Sequence, residues 1–172
     1  MKNLLSPADF EARLKNIKLL LLDVDGILTD GSIFFMEGQG WTRIYNIYDG
    51  YGIKLIQSLG IPVAVISGGH SNELKERLRV LGISHAVLGS EDKLKSLQEI
   101  VRTTGIPAEN MCFMADELFD IPALLAVGLS VTVPNAMTEV KELVHFITVK
   151  KGGEGAVREV IDYIRHAQNL KK

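Results

Sequence analysis

Four aspartates are the residues of this chain whose types and spacing suggest chemistry. Asp23 and Asp25 are separated by one residue and are followed by Gly26, and a second acidic pair, Asp116 and Asp120, lies far along the chain. A carboxylate can act as a nucleophile, and two neighbouring carboxylates can bind Mg²⁺. The Asp-x-Asp spacing alone is also common in ordinary turns after a strand. Whether these aspartates form a functional site therefore depends on the strands and helices that position them.

Asp23 and Asp116 each follow a short apolar run, and further runs of the same kind lie elsewhere in the chain. Residues 19–22 are four leucines that end at Asp23, and similar runs occupy residues 63–66, 86–88 and 111–114. Residues 129–133, in which apolar and hydroxyl residues alternate, are a fifth strand candidate. Continuous apolar runs of this length are typical of parallel strands that are buried on both faces. Helical patterns alternate with the runs, as in the i, i+4, i+7 spacing of Leu74, Leu78 and Leu81. The sequence thus predicts an α/β fold with a doubly wound parallel sheet.

The polar residues that follow these strands form a recognisable set. In chain order they are Asp23 and Asp25, Ser67 with Gly68, Lys93, and Asp116 with Asp120. The carboxyl ends of parallel strands meet at one edge of the sheet, where open α/β sheets bind their ligands. Each residue alone has an ordinary interpretation, such as a helix cap or a solvated charge. Their joint appearance favours one functional site.

Phosphoryl transfer is the chemistry that this set supports. The reaction needs a nucleophile, positive charge near the equatorial oxygens and a proton for the leaving group. Asp23 would attack phosphorus and become an aspartyl phosphate. Asp25 would protonate the leaving oxygen and then deprotonate the hydrolytic water. Lys93 would supply positive charge and keep Asp23 ionised, with Asp120 orienting Lys93 or a metal-bound water.

The same set predicts how a metal ion and the phosphoryl group are bound. Mg²⁺ would bridge Asp23, the backbone carbonyl of Asp25 and Asp116, with waters completing an octahedron. The hydroxyl of Ser67 and the amide of Gly68 would hold phosphoryl oxygens. The sequence therefore predicts substrate contacts from the second strand end and metal ligands from the first and fourth.

Residues 31–47 differ in character from the rest. Two β-prone runs flank a glycine-containing loop, which indicates a hairpin. It carries Phe34, Phe35, Trp41 and Tyr45. An isolated hairpin is marginally stable, and exposed aromatic groups favour a partner surface. We therefore expect a homo-oligomer, with packing on the chain's own domain as the alternative.

Composition restricts the classes of protein further. The 172 residues fit a single domain, and the net charge of −2 gives no electrostatic footprint for nucleic acid or a membrane. Cys112 is the one cysteine, so an internal disulfide is excluded. The N-terminus has no signal-peptide pattern, and no apolar stretch is long enough to span a bilayer. A single domain over 1–172 is expected.

The motifs together resemble the haloacid dehalogenase (HAD) superfamily. The residues that carry the resemblance are residues 23–26, Ser67, Lys93, and Asp116 with Asp120. Nearly the whole chain, through residues 23–31, 49–54, 127–131 and 152–159, is similar to the 3-deoxy-D-manno-octulosonate 8-phosphate (KDO 8-phosphate) phosphatases.

The resemblance implies several further properties. It implies a capless HAD-like fold, Mg²⁺ and hydrolysis of KDO 8-phosphate in the cytoplasm during lipopolysaccharide-precursor synthesis in a Gram-negative bacterium. It also implies a homotetramer in which hairpins pack together. The C-terminal tail, about residues 150–172, would then help to close a neighbour's site. In that tail, the Gly152-Gly153 pair could approach a ligand closely and Arg158 could bind a substrate anion.

Two short motifs depart from the family pattern. Thr-Gly-Arg after the second strand is Ser67-Gly68-Gly69 here, so the hydroxyl is kept and the arginine is absent. Gly-Asp-Asp after the fourth strand is Ala115-Asp116-Glu117, and the methyl group of Ala115 could crowd a turn that glycine makes freely. These departures leave the exact sugar-acid substrate open.

Three other functions compete with this one. A phosphatase for a nine-carbon sugar acid 9-phosphate would use the same chemistry. A phospho-receiver domain also uses Asp, Mg²⁺ and Lys, but its phosphorylated Asp follows the third strand, where this chain has Gly89. A non-catalytic HAD-like oligomerisation module would fit Ala115 and Gly69, while the intact aspartates and Lys93 count against it.

Overall fold

A computed structural model describes residues 5–38 and 40–171. The helices are α1 (Pro7–Lys15), α2 (Ile47–Ser58), α3 (Asn72–Leu81), α4 (Lys93–Thr104), α5 (Ile121–Leu124), α6 (Thr138–Leu143) and α7 (Ala156–Ala167). The strands are β1 (Leu19–Leu22), β2 (Ile33–Met36), β3 (Gly40–Arg43), β4 (Val63–Ser67), β5 (His85–Leu88), β6 (Met111–Met114), β7 (Leu129–Thr132) and β8 (Phe146–Ile147).

The main sheet has six parallel strands in the order β5-β4-β1-β6-β7-β8. Helices cover both of its faces, which confirms the predicted doubly wound α/β architecture. The sequence patterns missed α6 and β8, because these elements are too short to show a clear period.

The four leucines of β1 explain why the core has two halves. Successive side chains of a strand point to opposite faces. Leu20 and Leu22 accordingly join the apolar cluster under α2, α3 and α7, whereas Leu19 and Leu21 join the cluster under α4 and α5. With neighbours on both sides, β1 is the buried centre of the sheet. Its carboxyl end fixes the position of Asp23.

One helix is rotated differently from the prediction. The periodicity of α4 predicts that Leu94 faces the core, but Leu94 is 36% exposed. The buried residues of this helix are Lys93, Ser96, Leu97 and Ile100. Because Lys93 finds carboxylates inside the protein, a charged residue takes the inward position that apolar periodicity assigns to leucine.

The predicted hairpin is formed by β2 and β3, which pair antiparallel in a sheet of their own. Every described residue of β2 is exposed, and Phe35 and Trp41 stack edge to face at the surface. Its predicted loop includes Gln39, which lies outside the described residues, as do residues 1–4 and Lys172.

The two glycines before α7, Gly152 and Gly153, were predicted to approach a ligand, but they contact another part of the chain. A Cβ at Gly152 would overlap the carbonyl of Gly26, and the Gly153 amide donates to the carbonyl of Ile27 at 3.0 Å. Gly152 and Gly153 therefore approach the chain's own turn after β1 and not a ligand. The helix that follows buries Val157, Val160 and Ile161 in the core.

None of the helices in the described residues combines the length and apolar character needed to cross a membrane.

Candidate active site

A buried ion-pair network lies at the carboxyl end of β1. The ammonium nitrogen of Lys93 lies 2.7 Å from Oδ1 of Asp23, 3.0 Å from Oδ1 of Asp120 and 3.2 Å from the carbonyl oxygen of Ile66. These three acceptors match the three N–H donors of an ammonium group. Its position at the start of α4 lets Lys93 reach across the strand ends. The structure thus brings together three residues that are far apart in the sequence.

Asp116 completes the acidic part of the site. Its Oδ1 atom is buried and has no hydrogen-bond partner in the described part of the chain. The absence of a side chain at Gly26 makes room for it, because a Cβ there would overlap the Asp116 carboxylate. One oxygen each from Asp23, Asp116 and Asp120 lie within 4.8 Å of one another. Clustered carboxylate oxygens with an unpartnered buried atom fit a hard divalent cation.

Burial and mutual repulsion make this acidic group hard to ionise in the absence of a cation. Burial raises the pKa of Asp116 to about 7, with repulsion from Asp23 and Asp120 adding to it. Burial also raises the pKa of Asp23 to about 6, although Lys93 opposes the effect. For Lys93, burial alone would lower the pKa, but Asp23 and Asp120 outweigh it and raise the pKa. A bound cation would favour the ionised carboxylates that the chemistry needs.

Asp25 lies in the turn that follows β1. The carbonyl of Val24 accepts from the amides of Ile27, Leu28 and Thr29, and Gly26 has a positive φ of 82° that closes the turn. The side chain of Asp25 points away from the acidic cluster towards Arg43. Its backbone carbonyl, and not its carboxylate, is the predicted metal ligand.

Ser67 and Gly68 lie at the end of β4, as predicted. Ser67 is buried, and its Oγ accepts from the amide of Gly69 at 3.0 Å. Both residues line the same cleft as Asp23, Asp25 and Asp116, a space of about 400 Å³. Five of the predicted residues therefore share one opening, whereas Lys93 and Asp120 are not among the residues that line it.

The altered motif after β6 is accommodated without strain. Among the described non-glycine residues, positive φ occurs at Asn169 and not at Ala115, so this turn does not need glycine. The carbonyl of Ala115 accepts from Thr132 Oγ1 at 2.6 Å. The longer Glu117 side chain folds back onto the amide of Leu118 at 2.7 Å, while the Glu117 amide donates to Asp120. The expected crowding at Ala115 is therefore wrong.

Sequence reasoning assigned no role in the site to six other residues that line the cleft. They are Gly31, Arg43, Gly69, Glu91, Glu117 and Phe119. Arg43 is the most informative, because it ends β3 of the hairpin and pairs with Asp25. The family motif has an arginine where this chain has Gly69. That difference was the one sequence signal that a guanidinium could reach the site from another part of the chain.

Arg158 lies outside the cleft of its own chain. On α7 its Nε donates to Asp162 at 2.8 Å, and its guanidinium lies 5.6 Å from the ring centroid of Tyr51. The described residues thus hold Arg158 against α2. Its predicted contact with a substrate anion requires the site of a neighbouring copy and stays a prediction.

Comparisons with known proteins agree with this geometry. Residues 87–161 match the family of haloacid dehalogenase-like hydrolases. The 3-deoxy-D-manno-octulosonate 8-phosphate phosphatase of Yersinia pestis is 39% identical over 94% of this chain and 86% of its own length. The chain belongs to this phosphatase family.

Solved structures of enzymes from this family have the same fold as the phosphatase. The crystal structure of the Yersinia pestis enzyme, at 40% identity, superimposes with a TM-score of 0.90 over 94% of this chain and 88% of its own. The Moraxella catarrhalis enzyme, crystallised with magnesium, phosphate and KDO, is 36% identical and superimposes with a TM-score of 0.91 over 95% and 94% of the two chains. The HAD-like fold and the phosphatase class are therefore confirmed, and neither a receiver domain nor a non-catalytic module remains a competing identity.

Proposed function

We propose that this phosphatase hydrolyses KDO 8-phosphate to KDO and inorganic phosphate through an aspartyl phosphate on Asp23. The carrying observation is the buried carboxylate of Asp23, which directly follows the central strand, contacts Lys93 at 2.7 Å and lines the same cleft as Ser67. The substrate is supported by relatives of 38–39% identity that are named for it.

Two successive displacements would complete the reaction. A carboxylate oxygen of Asp23 forms a bond to phosphorus while the bond from phosphorus to the sugar oxygen breaks, and Asp25 gives that oxygen a proton. Asp25 then takes a proton from water, whose oxygen attacks phosphorus and releases phosphate from Asp23. Lys93 stays fixed throughout and offsets the negative charge of its two carboxylate partners.

The remaining cleft residues would bind the phosphoryl group. Ser67 can donate its O–H and Gly68 its backbone N–H to phosphoryl oxygens. Asp23, Asp116 and the carbonyl of Asp25 would hold Mg²⁺, as the unpartnered Oδ1 of Asp116 supports. Bound there, the ion would neutralise charge on the phosphoryl oxygens and reduce repulsion between the substrate and Asp23.

A panel of phosphate esters tests the proposed substrate. Phosphate release would be measured for KDO 8-phosphate, a nine-carbon sugar acid 9-phosphate, a simple hexose phosphate and p-nitrophenyl phosphate, with Asp23→Asn as the inactive control. We expect the highest kcat/KM for KDO 8-phosphate. A higher value for the nine-carbon acid would reassign the substrate, and equal values throughout would remove the sugar acid from the proposal.

We further propose that the phosphatase works as a cytoplasmic homotetramer. The hairpin supports this assembly, because several of its large apolar side chains are exposed: Phe35 is 62% exposed and Trp41 59%. Tyr45, by contrast, packs against the core of its own chain. Nearby Ile44, Ile47 and Tyr48 extend the exposed apolar surface. A surface of this kind is typical of a protein interface.

A further inference from the structure

Arg43 lies in the cleft although its place in the chain is in the hairpin. Its Nε lies 2.6 Å from Oδ1 of Asp25 and its Nη2 lies 3.0 Å from Oδ2. This is the parallel two-bond arrangement that a planar guanidinium makes with a carboxylate. Each carboxylate oxygen has a second lone pair that remains for contact with substrate or water. Both oxygens of Asp25 are thus held in a fixed direction.

The other side of the Arg43 guanidinium is anchored to α3. Its Nη1 donates to Ser71 Oγ at 3.2 Å and to Glu73 Oε2 at 3.3 Å. Ser71 is the N-cap of α3, where its Oγ accepts from the amide of Leu74. The guanidinium is therefore held by the start of α3 as well as by Asp25.

Gly69 provides the space that this arrangement needs. A Cβ at residue 69 would lie 2.8 Å from Nη2 of Arg43, which is too close for an ordinary contact. Gly69 does not have a positive φ, so its backbone does not require glycine. The small residue at this position is thus explained by Arg43, which occupies the volume beside it.

From these contacts we propose that Arg43 is a positioning residue, which holds the carboxylate of Asp25 in its reactive direction and links that direction to the hairpin. The inference rests on the role of Asp25 in the proposed function. Asp25 needs such support because its side chain is 41% exposed, whereas that of Arg43 is 11% exposed. A proton-transfer group acts only when it is correctly placed, and small misplacements are costly.

Leaving-group dependence tests this inference. Asp25 matters for a sugar alkoxide, which needs a proton, and much less for p-nitrophenolate. We expect Arg43→Met to lower kcat on the sugar phosphate by roughly 10- to 100-fold and kcat on p-nitrophenyl phosphate by less than about threefold. Arg43→Lys keeps the charge without the two-bond geometry and should restore only part of the loss.

Two further variants separate positioning from folding. Gly69→Ala changes no charge and should push Arg43 away, so it should show the same selective loss at smaller size. Arg79→Met removes an exposed arginine of α3 that pairs with Glu76, and it should leave both rates unchanged. Circular dichroism melting of each variant would show that the fold is kept.

A double-substitution experiment gives the decisive result. In an Asp25→Asn background, Arg43→Met should add no further loss, because Arg43 acts through Asp25. An added loss there, an equal loss on both substrates, or a raised KM with unchanged kcat would overturn the inference. The role of Asp25 is measured separately by Asp25→Asn alone: an equal loss on both substrates would overturn that role and the inference with it.

Discussion

The sheet edge and the hairpin place their side chains in opposite environments. At the sheet edge, charged groups are buried, and Lys93 is 1% exposed between two carboxylates. In the hairpin, aromatic and aliphatic groups face the solvent. A buried charge is stable only when it is paired, and exposed apolar groups are stabilised only when something covers them. The charges of the first region are thus paired within the chain, whereas the apolar groups of the second would be covered in the proposed assembly.

Arg43 joins the two regions. It belongs to the hairpin by sequence and to the sheet edge by its contact with Asp25. A change in the hairpin can therefore reach the site through one side chain. Substitutions at the sheet edge and in the hairpin can therefore show how far catalysis depends on each region. Asp23, at the end of the central strand, comes first.

Replacing Asp23 should have the largest effect. Asp23→Asn removes the proposed nucleophile while keeping the size of the side chain, so turnover of every phosphate ester should be abolished and the fold kept. Phosphate release and circular dichroism measure the two properties. Activity near that of the unsubstituted protein would remove Asp23 from the mechanism. Glu76→Gln, an exposed change on α3, is the matched control and should leave turnover unchanged.

Metal removal should stop the reaction reversibly. EDTA should abolish turnover and added Mg²⁺ should restore it, because the site contains hard oxygen ligands. Full activity after exhaustive chelation would exclude the metal. Asp116→Asn should weaken Mg²⁺ binding in calorimetry even where no substrate is present.

The same site predicts a pH dependence of metal binding. Without metal, the pKa of Asp116 is raised from 3.8 to about 7, so the folded protein retains a proton that the unfolded chain has lost. The metal-free fold therefore loses stability as the pH rises through that interval. Since Mg²⁺ must displace this proton, the affinity of the protein for Mg²⁺ should fall as the pH is lowered from 8 to 6. Calorimetry at the two pH values would measure this, and equal affinities would contradict the raised pKa.

Asp25 should contribute less than Asp23, and selectively. Asp25→Asn should lower kcat on a sugar phosphate by roughly 10²- to 10⁴-fold, the usual contribution of a general acid or base. The loss should be smaller for p-nitrophenyl phosphate, whose leaving group needs little protonation. Steady-state kinetics on both esters provides the comparison, and a uniform loss would assign Asp25 a purely structural role.

The strand ends were predictable because local patterns determine them. Each of Asp23, Ser67 and Asp116 directly follows a short apolar run, and parallel topology brings such ends to one edge. The rotation of α4 did not follow from its apolar periodicity, which favours an inward Leu94. It follows from the predicted pairing of Lys93 with Asp23 and Asp120, which turns the lysine towards the site.

Arg43 was hidden for the same physical reason. Strand alternation indicates which side of a hairpin it occupies, but it does not show where a separate two-stranded sheet lies relative to the main sheet. The contacts of Arg43 with Asp25 and Glu73 depend on that placement. Likewise, the glycine pair before α7 indicated a close approach, while its partner, the carbonyl of Gly26, became evident only in three dimensions.

The smallest effect is expected from the hairpin surface, where the exposed rings of Phe35 and Trp41 pack edge to face on each other. Phe35→Ser with Trp41→Ser should dissociate the proposed tetramer, because it removes apolar area from the interface without disturbing the buried network. Light scattering should then report smaller particles, with sugar phosphate turnover reduced several-fold and p-nitrophenyl phosphate turnover nearly unchanged. Removing the tail from Gly152 onwards could not replace this test, because it would strip α7 from the core. If the unsubstituted protein were a fully active monomer at micromolar concentration, the proposed tetramer would be contradicted, since the exposed hairpin would then need no partner.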